Sequence, residues 1–184
     1  MELQMDYFTF RETVKTGGVL GVQGNGFIGL LIRVLTGQSF QHVAMTYWTK
    51  EDNLMRLKVA EFIEGVGFQI MYASEWFEDR QKKGHIVFYG KPPKEVIKNS
   101  LRVKVEIFKL RDSDKEIEKN YNYWELPLVW IANIFNMDTS RLGGICSSFV
   151  GKIYNLCGVS RYFHVPGDIL TMCNGIEKVS YDGS

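Results

Sequence analysis

The sequence predicts an α+β fold: a small, largely antiparallel sheet from the first half of the chain, with helices packed on it. Three observations predict it. Two runs rich in strand formers, His42–Trp48 and Arg56–Ile63, flank a polar turn at Thr49–Asn53, the pattern of a β-hairpin. Around Cys146 the spacing changes, with apolar residues at Ile145, Phe149, Ile153 and Leu156 on one helix face. Finally, 184 residues of which 45% are hydrophobic suffice for one domain, 1–184, with a sizeable core.

The elements follow in order. Phe8–Val14 is mixed and weakly patterned, and Thr16-Gly17-Gly18 is a turn. Val19–Gln23 reads as a short buried strand, and Phe27–Leu35 has a helical pattern that Thr36–Ser39 ends. After the hairpin, Gly65-Val66-Gly67 is a loop and Gly84–Tyr89 a strand, stopped by Gly90-Lys91-Pro92-Pro93. Leu101–Leu110 alternates and is read as a further strand. Asp114–Glu125 starts a charged helix that Pro127 limits, and Leu128–Phe135 is a second helical stretch. The Cys146 helix comes next, then a loop with Pro166-Gly167-Asp168 and a short helix around Ile169–Cys173.

Composition excludes several classes of function. A net charge of +1 gives no electrostatic footprint for nucleic acid or an anionic membrane. Three cysteines without a CxxC pair argue for a reducing compartment, against a disulfide framework and against a structural zinc site. The N-terminal residues lack the basic and apolar regions of a signal peptide. Phe27–Leu35, broken by Gly29 and Arg33, is far short of the ~20 residues of a membrane span. A cytoplasmic protein without a transmembrane segment is expected, and a viral or phage origin is compatible with that. Gly24-Asn25-Gly26 lacks the full spacing of a nucleotide fingerprint, so neither a cofactor nor a metal is called for.

Cys146 carries the chemistry. A thiol in the first turn of a helix feels the positive end of the dipole and free backbone N–H groups, and both favour the reactive thiolate. Such a nucleophile needs a base, and the base needs an orienting group. Of three histidines, His164 lies in a loop only 18 residues after Cys146, and His85 begins a strand without an obvious orienting neighbour. Both read as structural. His42 heads a strand directly after a loop, where a side chain reaches a cleft. It shares a face with Ala44, Thr46 and Trp48, whereas Val43, Met45 and Tyr47 share the other. If the hairpin turns near Asp52-Asn53 and pairs Ala44 with Glu61, Glu61 stands diagonally across from His42, and such cross-strand neighbours are roughly 7–8 Å apart, within reach of a long side chain. A register slip of one residue offers Glu64 instead.

Taken together, these segments resemble a known family. Thr16-Gly17-Gly18-Val19-Leu20, the stretch to Leu35-Thr36-Gly37, and Ser39-Phe40-Gln41-His42-Val43-Ala44-Met45 look like the opening of the permuted NlpC/P60-type (YiiX/YaeF-like) cysteine hydrolases of the papain-like superfamily. Val59–Val66 resembles that family's next strand, in which Glu is followed shortly by Gly-Val. Cys146-Ser147-Ser148-Phe149-Val150 resembles its Cys-Ser-x-hydrophobic-Val helix start. The resemblance covers about Val14 to Leu170. It departs where the family has Asp, at Gly18, and where it has Gly, at Ala44.

The resemblance implies a permuted papain-like fold, a small antiparallel sheet or half-barrel with the nucleophile-bearing helix against it. It implies Cys146 as nucleophile, His42 as general base and then acid, and Glu61 as the orienting residue. The Cys146 backbone N–H would meet the oxyanion, with Gln41, Gln38 and Tyr7 as candidates for the second donor. The implied reaction is acyl transfer from an amide of peptide, isopeptide or peptidoglycan type through a thioester. Lipid acyl hydrolysis or transfer by the same pair, and non-catalytic binding of a peptide or lipid, are the alternatives.

Overall fold

A computed structural model describes residues 4–24, 39–63, 65–113, 146–159 and 166–181. The centre of the molecule is the hairpin of β3 (His42–Glu51) and β4 (Leu54–Ile63). Its turn is Asp52-Asn53, with φ of 48° and 64°. Two consecutive left-handed residues make the two-residue turn whose twist matches antiparallel strands, and Asp and Asn tolerate that backbone better than other side chains. The ladder runs from Glu51↔Leu54 to Met45↔Ala60, the register in which Ala44 would face Glu61.

Five further strands extend this hairpin. β2 (Val19–Gln23) pairs antiparallel with β3, and β5 (Gly67–Tyr72) pairs antiparallel with β4. β6 (Ile86–Gly90) joins the other edge of β2, followed by β7 (Ile176–Ser180) and then β1 (Gln4–Asp6). The order is β1-β7-β6-β2-β3-β4-β5, and the sheet is mixed because β1 runs parallel to β7. It is thus larger than the expected sheet and draws one strand from the C-terminal end.

Six helices are described: α1 (Tyr7–Thr13), α2 (Ala73–Lys82), α3 (Lys94–Lys98), α4 (Ser100–Asp112), α5 (Cys146–Leu156) and α6 (Pro166–Thr171). None of them is long and apolar enough to cross a membrane. Strand alternation sorts the core into two layers. Val43, Met45, Tyr47, Ala60 and Phe62 pack with Phe149, Val150 and Ile153 of α5. Ala44, Leu57 and Val59 pack on the opposite face with Trp76 and Phe77 of α2.

Two expectations are corrected. Leu101–Leu110 is helix, within α4, rather than strand. Val103 and Ile107, four residues apart, are fully buried, whereas Leu101 and Val105 of the same alternating set are 73% and 40% exposed. Alternation at 101, 103, 105 and 107 is compatible with either period, and packing chose the helical one. Pro166-Gly167-Asp168 forms the first turn of α6 rather than a loop, with proline where its missing N–H costs no helical hydrogen bond. Phe8–Val14, weakly patterned in sequence, lies largely in α1, which Asp6 caps by accepting from the Thr9 N–H at 2.8 Å. The helical stretches read at 27–35, 114–125 and 128–135 lie outside the described residues.

Gly18 stands where a side chain has no space. A Cβ there would come within 2.5 Å of the Tyr89 ring and 2.8 Å of Thr46 Oγ1. The Thr46 hydroxyl is already committed, donating toward the Lys15 and Gly18 carbonyls at 3.0 and 3.1 Å. No room is left for an aspartate side chain.

Candidate active site

Cys146 heads α5, and α5 lies on the Val43–Met45 face of the sheet. Glu61 projects from the opposite face, that of Ala44 and Val59, and is fully buried. His42 is the first residue of β3 and links the two. Its position at the strand end lets one imidazole serve both layers. The β3–β4 ladder stops at Met45, so on the β4 side His42 and Val43 stand beyond the paired region, while on the other side they pair with Val22 and Gly21 of β2.

The imidazole Nε2 and Glu61 Oε2 are 2.7 Å apart. This leaves Nδ1 on the side of the Cys146 thiol, and the two groups lie close enough to shift each other's proton affinity. Three residues separated by 19 and 85 positions in sequence therefore form one chain, thiol to imidazole to carboxylate.

The electrostatics follow from this contact. Burial alone would favour a neutral His42. The negative charge and hydrogen bond of Cys146, then those of Glu61, outweigh burial and push the His42 pKa up to about 9. Burial likewise opposes a charged Glu61, but the His42 hydrogen bond and charge, followed by the Arg80 charge, hold its pKa at about 2. For Cys146 burial is again the largest opposing effect. The charge and hydrogen bond of His42, with the Val43 and Ser147 backbone N–H groups, bring its pKa below that of an ordinary thiol.

The other two cysteines behave in the opposite way. Burial raises the Cys157 pKa and takes that of Cys173 to about 12. Among the three thiols, only Cys146 is shifted toward thiolate.

Sequence reasoning missed the groups around Glu61. Gln69 of β5 donates its amide to Glu61 Oε1 at 2.7 Å. Arg80 of α2, 7% exposed, places its NH2 group 3.0 Å from both carboxylate oxygens, and its guanidinium lies 5.0 Å over the Trp76 ring. Neither residue carries a signal in sequence, since an isolated Arg on a helix normally faces water. The Val43 N–H was equally invisible, because its availability depends on where the ladder ends.

The remaining candidates fall in different places. Tyr7 is not at the site. It packs edge-on against Phe77 and Tyr181, with ring centroids 5.2 and 4.8 Å away. Gln41 adjoins His42, and a Cβ on Gly24 would lie 2.4 Å from its Nε2 and 2.8 Å from Nε2 of His85. His85 therefore stands close to the site rather than apart from it. Its Nδ1 is buried without a hydrogen-bond partner, and burial, then the Arg80 and Lys83 charges, lower its pKa. Gln38, Glu64 and His164 lie outside the described residues. Among the described residues, no three His, Cys, Asp or Glu side chains come together as a group able to hold a metal.

No protein-family model matches the chain, and no curated protein matches it.

Proposed function

We propose that the protein is a cysteine hydrolase of amide bonds, of peptide, isopeptide or peptidoglycan type, with a permuted papain-like arrangement. The observation that carries this reading is the set Cys146–His42–Glu61, buried at both ends and partly exposed at the imidazole, in which the thiol and the imidazole shift each other toward the thiolate–imidazolium pair. The order along the chain, a His-bearing strand before a Cys-bearing helix packed on the sheet, supports the permuted arrangement.

In the proposed reaction the Cys146 thiolate attacks the carbonyl carbon and the C=O pair moves onto oxygen. Backbone N–H groups at the start of α5 meet that oxyanion, and donors of this kind are worth roughly 3 kcal/mol each. Imidazolium His42 gives its proton to the leaving nitrogen as the C–N bond breaks, leaving a thioester on Cys146. Neutral His42 then takes a proton from water, whose oxygen attacks the thioester and releases the acid and the thiol. Glu61, as acceptor for Nε2–H, holds the ring in the tautomer that presents Nδ1 to the sulfur.

The test is intact-mass detection of an acyl adduct. The protein is incubated with a panel of peptide anilides and, separately, of fatty-acyl nitrophenyl esters. An adduct on Cys146 that turns over with the anilides, and is absent in Cys146→Ala, is the expected result. Turnover of the esters alone moves the assignment to lipid acyl chemistry. No adduct with either panel, together with Cys146 alkylation as slow as that of Cys157, would sink the enzyme reading.

A further inference from the structure

Beside the three proposed groups the site holds a fourth charge, that of Arg80. Its NH2 group is shared between Glu61 Oε1 and Oε2, both at 3.0 Å. Among the described residues its Nε is buried without a partner, and its one other acidic neighbour, Asp79, lies 3.9 Å from Nη1. Among the described residues the best-made polar contacts of this buried guanidinium are therefore all to Glu61.

We propose that Arg80 is a positioning residue that sets the protonation state of the Cys146–His42 pair by balancing the buried charge of Glu61. The proposal rests on the reading of Cys146 as a thiolate nucleophile. Thiolate, imidazolium, carboxylate and guanidinium alternate in sign along the chain and sum to zero. Without the guanidinium the same buried set carries one net negative charge, which low-polarity surroundings oppose. The least costly relief is a proton on sulfur, since the carboxylate is much the weaker base and still holds the imidazolium. Arg80 thus acts on Cys146 through Glu61 and His42, without touching either the sulfur or a substrate.

The neighbouring charges do not substitute for it. Asp79 accepts from Lys83 at 2.8 Å on the partly exposed side of α2. His85, at the entry to β6, is pushed toward its neutral form. From β5 the site receives only the uncharged Gln69 amide. Arg80 is therefore the only cation other than His42 within hydrogen-bond distance of Glu61 among the described residues.

The experiment is the pH dependence of Cys146 alkylation by iodoacetamide, read by mass spectrometry in the full chain. The variants are R80M, R80Q and R80K, with H42A as control. Removing a unit charge at this remove is expected to slow alkylation of R80M at pH 6.5 by about tenfold, with the profile moved to higher pH. R80K, which keeps the charge, stays within about threefold of wild type. R80Q, which keeps polar atoms beside Glu61 without the charge, is slowed like R80M. An R80M profile that superimposes on wild type overturns the proposal. So does an R80K profile as slow as that of R80M, which would make Arg80 a packing residue only. If R80M does not fold, R80Q is read in its place: a slowed, shifted profile in R80Q with a wild-type-like one in R80K supports the proposal, and equal profiles in the two overturn it. A wild-type profile of an ordinary thiol, unchanged in H42A, instead overturns the nucleophile reading and this proposal with it.

Discussion

Replacing Glu61 by glutamine tests the site through stability rather than through a substrate. Glu61 is fully buried and meets His42 at 2.7 Å, Gln69 at 2.7 Å and Arg80 at 3.0 Å. The fall of its pKa from 4.5 to about 2 corresponds to about 3 kcal/mol of stability at neutral pH. Breaking a buried ion pair from one side gives a similar figure, about 3–5 kcal/mol, because the partner cations lose their counter-charge. Glu61→Gln should therefore lower the unfolding free energy at pH 7 by about 3 kcal/mol, or the melting temperature by roughly 10 °C. The sign of the pH dependence follows from a depressed pKa. The contribution of Glu61 is complete above pH 4.5 and is lost as pH falls through about 2. The gap between wild type and variant should thus shrink by about 2 kcal/mol between pH 7 and pH 3. Urea unfolding followed by circular dichroism at both pH values measures it. A gap below about 1 kcal/mol at pH 7, or one that does not change with pH, refutes the reasoning.

Other expectations concern single side chains. Cys146→Ala should remove turnover while shifting the melting temperature by no more than a few degrees; residual turnover at the wild-type rate excludes Cys146 as the nucleophile. His42, whose pKa is raised to about 9, contributes stability that is complete below pH 6.5 and fades as pH rises through 9. Melting curves of His42→Ala and wild type should therefore converge between pH 7 and pH 10, and divergence over that range contradicts the assigned direction. Gly18→Ala forces a methyl to within 2.5 Å of the Tyr89 ring and should cost about 1–3 kcal/mol by urea unfolding. A neutral effect there would mean that Tyr89 moves freely, and that aspartate is not excluded by space.

Much of the hairpin was legible in the chain. A turn at Asp52-Asn53 between two apolar runs sets the register, and register sets parity, so His42 and Glu61 had to share a face once Met45 paired with Ala60. Cys146 was legible because a helical spacing begins where the thiol stands. Elements with ambiguous or weak periodicity were not. Leu101–Leu110 satisfies a period of two, and only the burial of Val103 and Ile107 decides for a helix. β7 and β1 are short and meet across almost the whole chain, pairing Met5 with Val179. No local pattern announces such a contact.

Turn chemistry and strand alternation are local rules, so the residue types available for thiol chemistry and their presentation on the central hairpin were already written in the chain. The tertiary structure alone decided that Cys146, from the opposite face of the sheet, meets the imidazole at the strand end, and that Arg80 and Gln69 close around Glu61. Charge, burial and hydrogen bonding depend on what surrounds a group. An arginine on a helix is a solvated side chain until a buried carboxylate is brought 3.0 Å from it.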